Sequence, residues 1–414
     1  MAQLDEVSAT VPRAQGSGGD LRRLPSLTGM RFIAAGIVFA FHVVYEAPFS
    51  SASFAGKYDR VFGQGGWTGV AFFFVLSGFV LTWSAKPGRS AGGFWRRRAV
   101  KIVPNYVLTY LAAMAMVAAS GLALGGWRVL PGLFMVESWF PQPAIETSAN
   151  PVAWSLSCEV FFYLCFPLLL WAIRKIRPGR LWYWAGLFAA LVWCVPLIGK
   201  LILPATPVAS WAPSVSTYEF WFVYVFPPTR MLEFILGMIM ARIVLAGKWI
   251  PIPLWSAWAL AVFAYAIAPD GPYIYQVVAI TVVPIALLIP AAATADLKGR
   301  WSPTRGKVMI WLGNVSYAFY LWHRLILIYG HRLLGPGRTW GSAEAIGFAL
   351  LAFAVALTVA WLTYVLVEQP LMRRFARGRR AQTSHTPLTG QHPLDLEVSA
   401  GPPPGSGVSG AGVS

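Results

Sequence analysis

The sequence has little charge and few cysteines, and each shortage excludes a class of protein. Only 12% of the 414 residues are charged, whereas 57% are hydrophobic and 15% are aromatic. This charged share is about half that of an ordinary soluble domain, so we exclude a soluble globular protein and a disordered or collagen-like chain. The three cysteines, Cys158, Cys165 and Cys194, are odd in number and lie in apolar stretches. They therefore predict neither a disulfide framework nor a metal site.

Long apolar stretches make up most of the chain. A helix of about 20 residues crosses the hydrocarbon core of a bilayer, and we find ten stretches of this kind, allowing one or two polar residues in each. They cover residues 31–48, 67–84, 103–123, 152–172, 182–203, 229–246, 251–268, 272–292, 309–330 and 345–367. The predicted fold is therefore all-α, a polytopic membrane bundle of about ten transmembrane helices within residues 26–377.

The net charge of +17 indicates membrane topology once the positions of the charges are considered. With the N-terminus placed in the cytoplasm, 24 of the 33 basic residues fall in inside segments, six fall outside and three lie within spans. Cytoplasmic loops carry an excess of Lys and Arg in membrane proteins. We therefore predict a multi-pass protein of the plasma membrane with both termini cytoplasmic and with no nucleic-acid partner.

The two ends of the chain differ from this apolar body. Residues 1–25 contain no apolar run, so we expect a disordered cytoplasmic N-terminus without a cleavable signal peptide. Residues 378–414 are rich in Gly, Pro, Ser and Thr, which cannot bury enough apolar surface to fold. We expect this segment to be a disordered cytoplasmic tail.

Ionisable residues are rare within the predicted spans. They are Arg31, His42, Glu159, Arg230, Glu233, His323 and Arg324. Each costs at least about 2.5–3.5 kcal/mol in the hydrocarbon region, so each needs a partner or a function. Arg31 and His42 share one helix face about 16.5 Å apart, which suits a long ligand reaching from the cytoplasm to the membrane centre. Alternatively, Arg31 is a topology anchor and His42 bonds to a neighbouring helix.

Two further residues are candidates for acid–base chemistry. Glu159 lies at a depth similar to that of His42, so we predict a pair in which the carboxylate orients the imidazole. Alternatively, Glu159 pairs with Arg230 or stays protonated. His323, with Ser316 on the same face, is the second candidate acid or base, unless it serves with Arg324 as an interface anchor.

The remaining candidates have both binding and structural interpretations. The loop after the second span carries the cations Lys86, Arg89, Arg96, Arg97, Arg98 and Lys101. They suit a phosphate-rich donor or, equally, anionic lipid headgroups. Arg230 and Glu233 have the i, i+3 spacing of a structural ion pair. Ser77 and Gly78 lie among aromatic residues, where close helix packing is favoured over a nucleophile site.

Seven motifs, in this order, resemble the acyltransferase 3 family over residues 25 to 372. Members of that family are integral membrane enzymes that move acyl groups onto hydroxyls of sugars, glycans and natural products. The motifs are Arg31 with His42, FFFVLSGF, FWRRRAVKIVP, WSLSCEVFFY, RMLEFILG, GNVSYAFYLWH and VEQP.

The resemblance implies acyl-CoA as the donor substrate and no bound cofactor or metal. It implies His42, Glu159 and His323 as catalytic residues and Arg31, Arg98 and Lys101 as donor contacts. The family commonly has two arginines three residues apart in the basic loop, where this chain has Arg98 and Lys101. Lysine keeps the charge but lacks the planar fork of arginine. Many relatives add a C-terminal extracytoplasmic domain, so here we expect the membrane body to carry out the transfer alone.

The predicted function is therefore that of a membrane O-acyltransferase with His42 as general base. Abundant Ala, Gly, Arg, Pro and Trp indicate a GC-rich bacterial genome. Family members from such bacteria often acylate macrolides or related antibiotics, which makes a natural-product hydroxyl the first acceptor class. Cell-surface or lipid-linked polysaccharide is the second. A proton-coupled transporter is the alternative from a different class.

Overall fold

The computed structural model describes residues 24–375 except Ala47, Arg89, Ala123 and Leu124. The tail predicted at 378–414, nearly all of the N-terminal segment predicted at 1–25, and Arg89 of the basic loop lie outside the described residues.

A helix of at least 14 residues stands at each of the ten predicted apolar stretches, and we number these helices α1 to α10. Their bounds are α1 Pro25–Glu46, α2 Gly65–Ser84, α3 Ala91–Ala119, α4 Trp154–Arg174, α5 Leu181–Ile202, α6 Pro227–Leu245, α7 Leu254–Ile267, α8 Ala279–Leu297, α9 Lys307–Leu334 and α10 Ser342–Thr363. The prediction of an all-α fold is confirmed.

Short elements fill the connections. The short α-helices are Ala52–Phe62, Leu130–Leu133, Pro143–Glu146, Thr217–Phe220, Tyr273–Gln276 and Gln369–Phe375. Single 3₁₀ turns occur at Gly126–Val129, Glu137–Trp139, Pro178–Arg180 and Ala268–Asp270, and π-helical turns at Trp221–Val225 and Tyr364–Glu368. A two-stranded antiparallel hairpin, β1 Val208–Ala209 and β2 Ala212–Ser216, lies between α5 and α6.

Seven helical segments of the described chain are long and apolar enough to cross a membrane, and they contain α1–α5, α8 and α10. Helix α7 is shorter, at 14 residues. Helices α6 and α9 are less apolar because they contain polar residues, among them Arg230, Glu233, His323 and Arg324. The chain is thus a multi-pass membrane protein, and ten crossings stay a prediction.

Helices α2 and α6 cross with their backbones in contact. A Cβ added at Gly78 would lie 1.9 Å from the carbonyl oxygen of Phe234, and one added at Gly237 would lie 1.9 Å from that of Val75. Only glycine permits this approach, as is typical of helix pairs in membranes. The packing role predicted for Gly78 is confirmed.

The buried Arg230–Glu233 pair reinforces α6. Arg230 Nη1 lies 3.1 Å from Glu233 Oε2, and both side chains are 1% exposed. The guanidinium also lies 5.0 Å from the ring centroids of Phe74 and Tyr224. These contacts agree with the structural role predicted for the pair, since a buried charge needs a partner.

Helix α1 packs against α9 through a second close crossing. A Cβ at Gly313 of α9 would lie 1.9 Å from the carbonyl oxygen of Thr28 on α1. Farther along, Phe39 of α1 and Phe319 of α9 pack on Phe353 of α10, with ring centroids 5.3 and 5.2 Å apart. This packing places the two helices that carry the candidate histidines side by side.

Candidate active site

His42 of α1 and His323 of α9 form a hydrogen-bonded pair. His42 Nδ1 lies 3.0 Å from His323 Nε2 and 2.9 Å from the carbonyl oxygen of Val38. His323 is fully buried, and its Nδ1 lies 2.7 Å from the carbonyl oxygen of Tyr320. Two candidate residues that are 281 positions apart in sequence are thus in direct contact.

The hydrogen bonds define the tautomers of the pair. A carbonyl oxygen only accepts, so His323 Nδ1 carries hydrogen and donates to Tyr320, which leaves His323 Nε2 as an acceptor. His42 Nδ1–H then donates to that nitrogen and to Val38. His42 Nε2 is left unprotonated, and no described residue bonds to it. Because His42 lines a cavity of about 300 Å³, this nitrogen can act as a base toward a ligand there.

Glu159 does not contact His42, so the prediction that this carboxylate orients the imidazole is wrong. Glu159 accepts a hydrogen bond from Tyr163 Oη at 3.1 Å and interacts electrostatically with Arg31. Equal depth along two helices fixes only the axial position of a side chain, while the rotation of each helix decides which way it faces. Helix α4 turns Glu159 toward α2 and α3, and His323 takes the place beside His42.

Glu159 belongs instead to a charged cluster, as do the predicted donor contacts. Arg31 of α1, Arg98 and Lys101 of α3 and Glu159 of α4 line one cavity of about 100 Å³, which we call the carboxylate cavity. Ser77 lines it as well, and its Oγ lies 3.1 Å from Tyr163 Oη. The structure thus brings together the three predicted donor contacts and adds Glu159, which the sequence had placed beside His42.

Two more cavities adjoin this cluster. A cationic cavity of about 390 Å³ has walls that include Lys86, Arg97, Arg98, Arg174 and Lys175. A narrow cavity of about 40 Å³, the neck, is lined by residues that include Arg31, Glu159, Ser316 and Tyr320. The hydroxyl of Ser316 donates to the carbonyl oxygen of Gly313 at 2.8 Å, so it is occupied within its own helix.

The cavities form a series through the bundle, because neighbours share wall residues. Arg98 lines the cationic and carboxylate cavities, and Glu159 lines the carboxylate cavity and the neck. Tyr320 lines the neck and the cavity of His42, which we call the histidine cavity. The four cavities thus lie in order between the cation-rich ends of α2, α3 and α4 and the imidazole of His42.

A second polar network supports the histidine pair. The guanidinium of Arg324 contacts the carboxylate of Glu46 and lies 3.5 Å from the carbonyl oxygen of His42. His331 Nδ1 lies 3.2 Å from the other oxygen of Glu46. With a side chain only 13% exposed and paired with Glu46, Arg324 is an ion-pair partner within the bundle, which favours a structural role over that of an interface anchor.

Sequence reasoning missed several partners of the site. Tyr163 follows Glu159 by four residues and Glu46 follows His42 by four, so one helical turn of spacing would have found both. Asn105 Nδ2 donates to Glu368 Oε2 at 2.8 Å, which links α3 to the VEQP motif. No local signal predicts that contact, because its partners are 263 residues apart.

Two carboxylates, the buried Glu137 and the partly buried Glu146, lie in the segment between α3 and α4, outside the membrane-spanning helices. Glu137 is 2% exposed, and neither of its carboxylate oxygens has a hydrogen-bond partner among the described residues. Glu146 lines the histidine cavity. Burial raises the pKa of each carboxyl to about 8, because removal from water disfavours the charged form.

Comparison with known proteins is consistent with this geometry. The acyltransferase domain family matches residues 24–365. Acyltransferase MdmB of Streptomyces mycarofaciens is 41% identical over 380 residues, which are 90% of this chain and 97% of that protein. The exopolysaccharide production protein ExoZ of Rhizobium meliloti is 28% identical over 327 residues, 76% of this chain and 92% of ExoZ.

More distant similarity extends to larger proteins. Peptidoglycan O-acetyltransferase OatA of Listeria monocytogenes is 23% identical over 84% of this chain, which spans 56% of OatA. No solved structure matches. Because the family model, MdmB and OatA are all named for acyl transfer, the alternative of a proton-coupled transporter is not supported. The chain therefore belongs to the acyltransferase 3 family and is a membrane-embedded acyltransferase.

Proposed function

We propose that this enzyme transfers an acyl group from acyl-CoA to a hydroxyl of a natural product, such as a macrolide antibiotic or its sugar. It acts in a bacterial plasma membrane with both termini in the cytoplasm, among membrane lipids. The observation that carries the proposal is the series of adjoining cavities between a cation-rich opening and the free Nε2 of His42.

The cationic cavity suits the nucleotide end of acyl-CoA. Its lysine and arginine side chains can bind phosphates, and Phe94, Phe166 and Trp171 offer ring faces to the adenine. The pantetheine arm spans roughly 15–20 Å, close to the axial rise from Arg31 to His42. The phosphates can therefore stay among the cations while the thioester reaches the histidine cavity.

His42 acts as general base in the proposed reaction. Its Nε2 takes the proton of the acceptor hydroxyl while the oxygen attacks the thioester carbonyl carbon. A C–O bond forms, the C–S bond breaks, and the proton passes from the imidazolium to the leaving thiolate. His323 acts through His42, because its Nε2 accepts a hydrogen bond from His42 Nδ1–H. This hydrogen bond fixes the tautomer of His42 and stabilises the imidazolium that forms.

The walls of the histidine cavity favour a ring-shaped acceptor. Trp67, Trp154, Trp211, Phe220 and Tyr224 present aromatic surface that packs on the apolar faces of sugars and macrocycles. MdmB aligns along 97% of its length, whereas OatA, named for peptidoglycan, aligns along 56%. Similarity to ExoZ supports a second candidate, O-acylation of cell-surface or lipid-linked polysaccharide.

Purified protein in detergent tests the proposal, because no ion gradient exists there. Labelled acetyl-CoA is supplied with a hydroxylated macrolide or, separately, with an exopolysaccharide oligosaccharide, and the products are identified by mass spectrometry. We expect labelled ester on the macrolide and none with His42→Ala, whose folding is checked by its unfolding temperature. Ester on the oligosaccharide alone would favour the second candidate, and full activity of His42→Ala would refute the role of His42.

A further inference from the structure

Glu146 is a carboxylate without a cationic partner in the wall of the histidine cavity. It ends the short helix Pro143–Glu146, whereas His42 reaches the same cavity from α1. The side chain of Glu146 makes no hydrogen bond or ion pair with any other residue that the structure describes. The mechanism derived above gives it no role.

The one lysine or arginine among the described residues that line this cavity is already engaged. Arg324 lines the histidine cavity, but its guanidinium is bound by the carboxylate of Glu46. Burial alone shifts the pKa of Glu146 to about 8, and no neighbouring cation opposes the shift. A positively charged ligand would supply the charge that this carboxylate lacks.

Aromatic rings in contact with one another form a wall along much of this cavity. The ring centroids of Trp67 and Trp154 lie 4.6 and 4.8 Å from that of Tyr224. Trp211 extends the wall, with its centroid 5.4 Å from that of Phe220. Aromatic faces together with a carboxylate are the chemistry that recognises alkylammonium groups, because the negative face of each ring attracts a cation.

We propose that the acceptor carries an alkylammonium group beside its reactive hydroxyl, and that Glu146 and the aromatic wall bind this cation. This inference rests on the proposed function, in which the histidine cavity holds the acceptor. The cation sets the orientation of the acceptor, so that a hydroxyl on the same ring system lies at His42 Nε2. The substrate class is therefore an N-alkylated amino alcohol or amino sugar.

Binding without the donor tests the cation site directly. The probes are trans-4-(dimethylamino)cyclohexanol and trans-4-isopropylcyclohexanol, which have nearly the same shape but differ in charge. Calorimetry with the purified full chain should show the ammonium probe binding at least about tenfold more tightly than the neutral one. Glu146→Gln should abolish that preference. Glu219→Gln, the matched control outside the four cavities, should preserve it.

A second variant separates the aromatic contribution from the carboxylate. Trp211 is 42% exposed, so Trp211→Leu disturbs the fold little while it removes one wall of the cavity. It should weaken binding of the ammonium probe and leave the neutral probe less affected. Equal affinity of the wild-type protein for the two probes would overturn the proposal. An equal loss of affinity for both probes in Glu146→Gln would also overturn it, because it would indicate a hydrogen bond from Glu146 to the hydroxyl that the probes share.

Acyl transfer to the same two alcohols distinguishes failure of the inference from failure of the proposed function. Transfer from labelled acetyl-CoA to both alcohols at equal rates, unchanged in Glu146→Gln, would overturn the cation site and leave the function standing. Discrimination in binding without transfer to any acceptor would support the cation site and count against the proposed function.

Discussion

The donor half of the site, formed by the cationic and carboxylate cavities, differs in its charged groups from the acceptor half, formed by the histidine cavity. The carboxylate cavity concentrates Arg31, Arg98, Lys101 and Glu159, whereas the imidazole of His42 in the histidine cavity is bonded to a second imidazole and to one carbonyl oxygen. A cluster of cations suits a phosphorylated donor but disfavours the protonation of a nearby imidazole, whereas a single acceptor cation paired with the Glu146 carboxylate opposes that protonation less. Separating the halves lets one bind phosphate while the other moves a proton.

The largest expected effect comes from the two histidines. His42→Ala should lower kcat by at least about a hundredfold, since it removes the general base. His323→Ala should cost about tenfold, because the carbonyl of Val38 still holds the tautomer of His42. Steady-state kinetics with saturating acyl-CoA measures both. A larger loss in His323→Ala than in His42→Ala would reverse the assigned roles.

A change at Lys101 tests the donor half alone. Lys101→Met should raise KM for acyl-CoA about tenfold, because one charged contact to phosphate is lost. KM for the acceptor should change little. Lys101→Arg should keep the donor KM near that of the wild type, because the positive charge remains. An equal rise of both KM values in Lys101→Met would break the division into two halves.

Removing one hydroxyl from the carboxylate cavity should have a milder effect. Tyr163→Phe deletes the group that donates to Glu159 and contacts Ser77. We expect kcat/KM for acyl-CoA to fall about two- to fivefold, the usual cost of one hydrogen bond. Tyr183→Phe on α5, whose residue is 80% exposed, is the matched control. An unchanged kcat/KM for acyl-CoA in Tyr163→Phe would show that the hydrogen bonds of the Tyr163 hydroxyl do not position the donor.

The smallest effect concerns stability and Glu137. Burial raises the pKa of this carboxyl to about 8, so between pH 4.5 and 8 the folded state keeps a proton that the unfolded state releases. Unfolding therefore becomes easier as pH rises through this window. The unfolding temperature should therefore fall between pH 5.5 and 8.5, and this fall should be smaller by a few degrees in Glu137→Gln.

Thermal unfolding in detergent measures the slope for Glu137→Gln beside the Glu219→Gln control. Glu146 contributes a dependence of the same sign, so part of the decline should remain. An unchanged slope in Glu137→Gln would mean that the Glu137 carboxyl titrates alike in the folded and unfolded states.

The sequence predicted the helices better than the contacts between them. All ten long helices coincide with apolar stretches, because burial in lipid requires local composition and length alone. The grouping of Arg31, Arg98 and Lys101 was also predictable, since membrane topology places all three on the cytoplasmic side, but the position of Glu159 among them was not. Depth, however, could not decide whether His42 meets Glu159 or His323, because that choice depends on how each helix is rotated.

The outer part of the site was the least predictable. Glu146 belongs to a four-residue helix without periodicity, in a segment of irregular structure. Its exposure to the histidine cavity depends on how this segment folds over α1 and α2, which no local pattern encodes.

The crossing of α1 and α9 at Gly313 has a consequence for reading sequence variation. His323 lies ten residues farther along α9, a rise of about 15 Å. A small change in the angle at which α1 and α9 cross therefore displaces the imidazole of His323 relative to that of His42. A single methyl group at position 313 would wedge the helices apart and lengthen the 3.0 Å bond between the rings. A natural variant with a larger residue in place of Gly313 would then be inactive although all of its catalytic side chains are intact.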